Sequence, residues 1–173
     1  MGEYDQYGKL CTRVMAGMSS FLVDKSPLHL LDDSLTYIGF DLRGAMVGAK
    51  VITGKKMRCP IIVNPYLGIY LFPNKSPYKA DCIWFNPDHI VKTKAIGSKT
   101  EVELSNGYSM IVDSKLTSFN TMIQTANQLI QISKNRGNHP SPITFFLEPK
   151  RDLPLSKGKT GKYNFNDLEE KHE

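Results

Sequence analysis

Cys59, Cys82 and His89 are the residues whose types could hold a metal, since thiolate sulfur and imidazole nitrogen are the common zinc donors. The three could meet if the strands carrying them pair. Their intervening segments of 22 and 6 residues match no zinc signature, and a fourth ligand is not obvious. Two buried structural cysteines and a strand-end histidine explain the set better, so no metal is expected. Asp32-Asp33 could act as paired acids, but solvation at a helix end accounts for them equally well. A cysteine nucleophile needs a base and an orienting partner, and nothing marks either. There is no Gly-rich phosphate loop, no His-Glu-x-x-His, no Cys-x-x-Cys and no serine elbow, and His29, His89, His139 and His172 are scattered. No catalytic residue and no cofactor are expected. The chain does not read as an enzyme.

Positive charge is the remaining chemistry, and its distribution is uneven. Residues 37–100 hold ten basic groups against three acidic ones, whereas residues 1–36 are net negative and residues 101–173 balance. Such a block suits a polyanionic partner better than a small acidic ligand, the alternative being an ordinary lysine-rich surface. Within it, Arg43, Lys50, Lys55, Lys56, Arg58, Lys75 and Lys79 are the candidate phosphate contacts.

Local signals then say which elements position these groups. Ser26 as N-cap and Pro27 at the first helical position begin a short helix. Thr36-Tyr37-Ile38 reads as a strand fragment ending at Gly39. From Asp41 to Thr53 a helix capped by Asp41 is favoured, with Leu42, Met46, Ala49 and Ile52 as its apolar stripe, and a strand over Lys50–Thr53 competes with it. On the helical reading Arg43 and Lys50 lie two turns apart on one side. Gly44 and Gly48 serve there either for close approach to a nucleic-acid backbone or for helix–helix contact.

Further on, Ile61-Ile62-Val63 and Ile69-Tyr70-Leu71-Phe72 form a hairpin around Asn64–Gly68. Short strands follow at Cys82–Phe85, where Trp84 is expected in the core, and at His89–Lys94. Asn106-Gly107 supplies the positive φ angles of a tight turn between Glu101–Leu104 and Tyr108–Val112. The longest helix covers Ser118 to Lys134, burying Phe119, Met122, Ile123, Ala126, Leu129 and Ile130 and turning Asn120, Gln124, Asn127, Gln128 and Gln131 outward. Its neutral amide face is a poor phosphate surface, so it should pack on the sheet. After Gly137 prolines and a Gly/Lys-rich stretch predict a flexible tail over 137–173. The fold class expected is α+β, a mainly antiparallel sheet with a long helix packed on it.

Apolar residues make up 40% of the 173, enough for one core, and no run approaches the roughly 20 residues that a spanning helix needs. The start lacks a signal-peptide pattern, and Gly2 is not followed by a myristoylation signal. Three widely spaced cysteines suit reduced thiols, so a cytoplasmic protein with no membrane partner is expected.

A series of short motifs then falls in order: Pro27-Leu28, Asp33-Ser34, Gly39, Gly44 and Gly48, Pro60-Ile61 with Val63 and Pro65, Ile69-Tyr70-Leu71-Phe72-Pro73, Cys82 with Trp84, His89, Ser105-Asn106-Gly107, and Ser118-Phe119. Together, over roughly residues 26–130, they resemble the ComK family of competence transcription factors. The resemblance implies an activator of bacterial genetic competence that binds AT-rich double-stranded DNA through the minor groove as a homo-oligomer, with RNA polymerase as a further partner. It divides the chain into a DNA-binding and oligomerisation domain, 1–136, and a tail, 137–173, that docks an adaptor for a Clp-type protease through Phe145, Phe146 and Leu147. Four positions depart from the pattern: Glu148 where an aromatic is expected, Ala45 and Met46 where relatives tend to carry basic residues, and Asn74 in place of threonine. The Ala45-Met46 departure motivates an alternative, a diverged member that acts by sequestering the adaptor. RNA is a weaker candidate, because no aromatic-rich strand motif of the usual RNA module is present.

Overall fold

Short turns punctuate the chain so often that each strand pairs with the one beside it in sequence. The computed structural model describes residues 1–137; the tail, with Phe145, Phe146 and Leu147, lies outside the described residues. The first sheet joins β1 (Gly2–Tyr4), β2 (Leu10–Ala16) and β3 (Ser19–Val23), and the second joins β4 (Ile61–Asn64), β5 (Ile69–Pro73) and β6 (Trp84–Phe85). The third joins β7 (Ile90–Ile96), β8 (Lys99–Leu104) and β9 (Ser109–Val112), and all pairings are antiparallel. Helices α1 (Pro27–Thr36) and α2 (Leu42–Thr53) separate the first two sheets, and α3 (Leu116–Gly137) follows the third. The class is α+β, as expected, with the antiparallel sheet divided into three.

Helix α1 starts with Ser26 extended at the N-cap position and Pro27 at its first turn, though the serine side chain makes no capping bond. The strand expected at Thr36–Ile38 does not form. Instead the Tyr37 and Ile38 N–H groups bond to the Asp33 and Leu35 carbonyls, Gly39 N–H bonds to Thr36 and Phe40 N–H to Leu35. With Gly39 at φ +84° this is a Schellman ending. Three residues between a helix and a second helix find their hydrogen bonds locally, and nothing draws them into a sheet.

Helix α2 settles the ambiguity over Asp41–Thr53. Asp41 accepts from Gly44 N–H at 2.7 Å, and Gly54, at φ +69°, returns its N–H to Lys50 O at the far end. Ala49 is buried with Cys59 and Leu129, Ile52 packs on that cluster, and Leu42, Ala45 and Met46 pack on Leu31, Ile61 and Val63. Removing the cap in Asp41→Ala should cost about 1 kcal/mol, read from the chemical unfolding midpoint.

The main core lies under α3, which packs on β5, β7 and β8. Phe72, Phe85 and Phe119 meet there with ring centroids 5.3–5.8 Å apart, surrounded by Val102, Val112, Met122 and Ala126. Asn120 departs from the outward expectation: it is half-buried, and its Oδ1 accepts from Thr93 Oγ1 at 3.0 Å, tying α3 to β7. The β8–β9 turn forms where it was read, but only Gly107, at φ +82°, takes a positive φ; Asn106 does not, and the turn runs through Ser105–Gly107, with Gly107 N–H bonding to Leu104 O and Leu104 N–H to Tyr108 O.

The first sheet was not foreseen. Residues Met15 to Leu22 are exposed, so β3 and the end of β2 show no buried–exposed alternation. Thr12 Oγ1 donates to Lys25 O, and at the hairpin tip Asn106 Nδ2 donates to Gly17 O at 2.8 Å.

Candidate nucleic-acid interface

Two kinds of basic residue emerge when each is placed. In the first sheet and the segment after it, Lys9 pairs with Asp24, Arg13 with Glu3 and Lys25 with Asp33. In the basic block, Arg43, Lys50, Lys55, Lys56, Arg58 and Lys79 are exposed and have no carboxylate within 4.0 Å among the described residues. Lys92 and Lys94 stand opposite Glu103 and Glu101 across β7–β8, so their charge is balanced locally. Unbalanced charge is therefore densest along α2 and the loop that follows it, with Lys79 and Lys99 exposed and unpaired elsewhere in the block.

Arg43 and Lys50, seven residues apart, line one side of a cleft of about 700 Å³ together with Met46 and Val47. Ser26, Leu28 and His29 form the facing wall from α1 and its cap, and Tyr78 enters from the loop after β5. Two acids, Asp32 and Asp41, also border the cleft, but their oxygens accept from Leu42 N–H and Gly44 N–H. The pair Asp32-Asp33 is thereby split: one caps α2 and the other pairs with Lys25. Tyr78 was missed in the sequence; its only signal is that it precedes Lys79.

The two glycines of α2 have different roles. A Cβ at Gly44 would lie 2.8 Å from Asp41 Oδ2, so this glycine makes room for the cap. A Cβ at Gly48 would meet nothing within 4 Å, so no close helix–helix contact requires this glycine. Ala45 and Met46, where charge is missing relative to the family pattern, are half-buried and pack on the Leu31–Ile61–Val63 cluster, and Met46 also borders the cleft between Arg43 and Lys50, where it leaves an apolar gap in the cationic wall.

Beyond Gly54 the chain exposes Lys55, Lys56, Met57 and Arg58 in succession. Arg58 takes φ +51°, the one non-glycine among the described residues in the left-handed region. That backbone costs about 1 kcal/mol or more in an L-residue. Arg58→Gly should therefore leave the unfolding midpoint unchanged or higher while removing a cationic side chain, which a denaturation curve beside a binding titration would show.

Lys75 differs from its neighbours. It is half-buried, and its Nζ lies 2.6 Å from Asp81 Oδ2. The Lys75 hydrogen bond holds the Asp81 carboxyl below its ordinary range. A lowered carboxyl contributes stability above its unfolded pKa, and the contribution is lost as pH falls through the folded value. In Lys75→Ala the Asp81 midpoint should climb back toward the ordinary carboxylate range in a carbonyl NMR titration.

The suspected metal residues are placed apart in role. Cys59 packs with Ala49 and Leu129, Cys82 is buried with its Sγ near Lys75 O, and His89 Nδ1 lies 3.1 Å from Ser105 Oγ. Among the described residues no three His, Cys, Asp or Glu side chains cluster in a way that could hold a metal ion. Burial pushes the thiols of Cys11, Cys59 and Cys82 up. Trp84 is half-buried and packs against the Leu31–Ile61–Val63 cluster.

The sequence model of the ComK protein family matches residues 1–138. The chain belongs to the ComK family. A competence transcription factor of Bacillus subtilis (strain 168) is 30% identical over 148 residues, covering 84% of this chain and 77% of the relative. No solved structure matches the chain significantly. No helix among the described residues is long and apolar enough to cross a membrane.

Proposed function

We propose that this ComK-family chain is a transcription regulator of genetic competence, not an enzyme, and that it activates genes by binding AT-rich double-stranded DNA as an oligomer. The observation that carries the DNA reading is the exposed set of unpaired cations along α2 and the loop after it. Family membership and the name of the Bacillus subtilis relative support the regulatory role. Twelve residues of α2 span about 18 Å, some five base pairs of duplex. A cationic ridge of that length suits the minor groove, where a protein reads width and deformability more than base identity. Residues 1–136 carry DNA binding and oligomerisation in this reading, and 137–173 present Phe145, Phe146 and Leu147 to a proteolytic adaptor. Ala45 and Met46 pack on the Leu31–Ile61–Val63 cluster, and the cations on either side of Met46 remain exposed, which favours a member that keeps DNA over one that has abandoned it.

A mobility-shift titration against AT-rich and GC-rich duplexes at two salt concentrations tests it. The AT-rich duplex should bind more tightly, with an affinity that falls steeply as salt rises. Equal affinity for both duplexes removes the AT-rich claim, and salt-independent affinity removes the interface.

A further inference from the structure

The outer edge of β3 is open. The strand ends the order β1-β2-β3, its residues Ser19 to Leu22 are exposed, and among the described residues it packs appreciably on β2 alone. Gly17, at φ +58°, and Met18 make a two-residue turn, so the flanking Ala16 and Ser19 exchange ladder hydrogen bonds. Val14–Phe21 and Thr12–Val23 do the same, because bonded pairs alternate with unbonded ones. The pairs between them, Met15–Ser20 and Arg13–Leu22, turn their backbone groups away from each other. Arg13 shows this directly, since its N–H goes to Met1 O on the β1 side. Ser20 and Leu22 therefore aim their N–H and C=O groups out of the edge, where no strand among the described residues meets them.

Such an edge is a template for a further strand, and proteins usually blunt it with lysine, proline or brevity. β1 has three residues, and β7, an edge of the third sheet, carries Lys92 and Lys94. β3 runs for five residues and has neither lysine nor proline. From Val14 to Val23 the hairpin holds no charged residue at all, yet Met18 is 75% exposed and Phe21 50%.

The groups that satisfy this edge belong to another strand, and charge and sequence say which. A neutral strand offers nothing to attract a charged segment, but it meets its own copy without like-charge repulsion. It is also self-complementary about Phe21. In an antiparallel two-fold pairing Ser20 stands opposite Leu22 of the second copy, and Ser19 opposite Val23, a small side chain against a large one on both faces. The outward-aimed residues, Ser20 and Leu22, then become the hydrogen-bonded pairs.

We propose that β3 pairs antiparallel with β3 of a second copy across a two-fold axis, joining two three-stranded sheets into one of six strands with the Phe21 side chains side by side at its centre. This names the contact for the oligomer part of the proposed function and rests on that part, not on the DNA contact.

Sedimentation velocity of the full chain over a concentration series tests it. The unaltered chain should shift toward a dimer as concentration rises. Ser20→Pro removes an outward N–H and leaves the β2–β3 ladder intact, so it should weaken association at least tenfold. Phe21→Lys and Phe21→Glu each set two like charges face to face and should leave the chain monomeric. An equimolar mixture of the two should restore the dimer, a result that only a Phe21-on-Phe21 register gives. Both positions are exposed, so the fold tolerates the changes. A chain that stays monomeric throughout removes this pairing and the oligomer reading together. Association that survives Ser20→Pro, or that the mixture does not restore, removes the pairing and leaves an oligomer built on another surface.

Discussion

Replacing Lys55, Lys56 and Arg58 together by alanine should lower affinity for an AT-rich duplex by about five-hundredfold at about 0.1 M salt. The magnitude follows from counterion release: each neutralised phosphate contributes about 0.9 to the slope of log affinity against log salt, so three lost contacts flatten it by about 2.7. All three side chains are exposed and none pairs with a carboxylate among the described residues. The bonds that shape this loop, from Lys55 N–H to Thr53 Oγ1 and from Cys59 Sγ–H to Lys55 O, use the Lys55 backbone and survive the change. A folded triple variant is therefore expected. The loss should be uniform across sequences, because phosphate contacts position a protein and do not specify a site. A fluorescence anisotropy titration at several salt concentrations reads both quantities, and an unchanged slope would remove this loop from the interface.

Phe119→Ala should destabilise the fold by about 3–5 kcal/mol. The ring is fully buried at 0% exposure and makes edge contacts with Phe72 at 5.6 Å and Phe85 at 5.3 Å. It is the point where α3, β5 and β6 meet, so the cavity cannot be closed by moving one element. Domains of this size have only about 5–15 kcal/mol in hand, so the loss consumes a large part of the total. The urea midpoint should fall steeply with little change in slope. Phe119→Leu, which keeps most of the volume, should recover more than half of the loss.

Both predictions rest on features that were partly legible in the chain. Phe119 stood out because α3 repeats its apolar positions at helical spacing, a signal that depends on one buried face. The Asp41 cap and Gly54 ending of α2 were readable for a similar reason, since each side chain or φ angle solves a local problem. Asn106-Gly107 set the β8–β9 turn before any contact was known. The β2–β3 hairpin was illegible because its side chains from Met15 to Leu22 are exposed on both faces, so no alternation marks the strand. Asn120 was misplaced because helical periodicity cannot foresee that Thr93 would stand beside it and offer a hydroxyl.

The candidate interface was legible as charge and illegible as geometry. Composition placed ten cations in the middle of the chain, but it could not say that Lys75 is engaged by Asp81 or that Lys92 and Lys94 face glutamates across a ladder. Nor could it bring Tyr78 to the side of α2, because 27 residues and a hairpin separate it from Lys50.

The cysteines carry a practical consequence. All three are buried and reduced, and burial raises their pKa values, so little reactive thiolate is present near neutral pH. A cysteine introduced at Lys56, on the open loop, would then react with a maleimide far ahead of the native thiols. The protein comes with a silent background for site-specific labelling, and a dye on that loop would report directly whether duplex DNA arrives there.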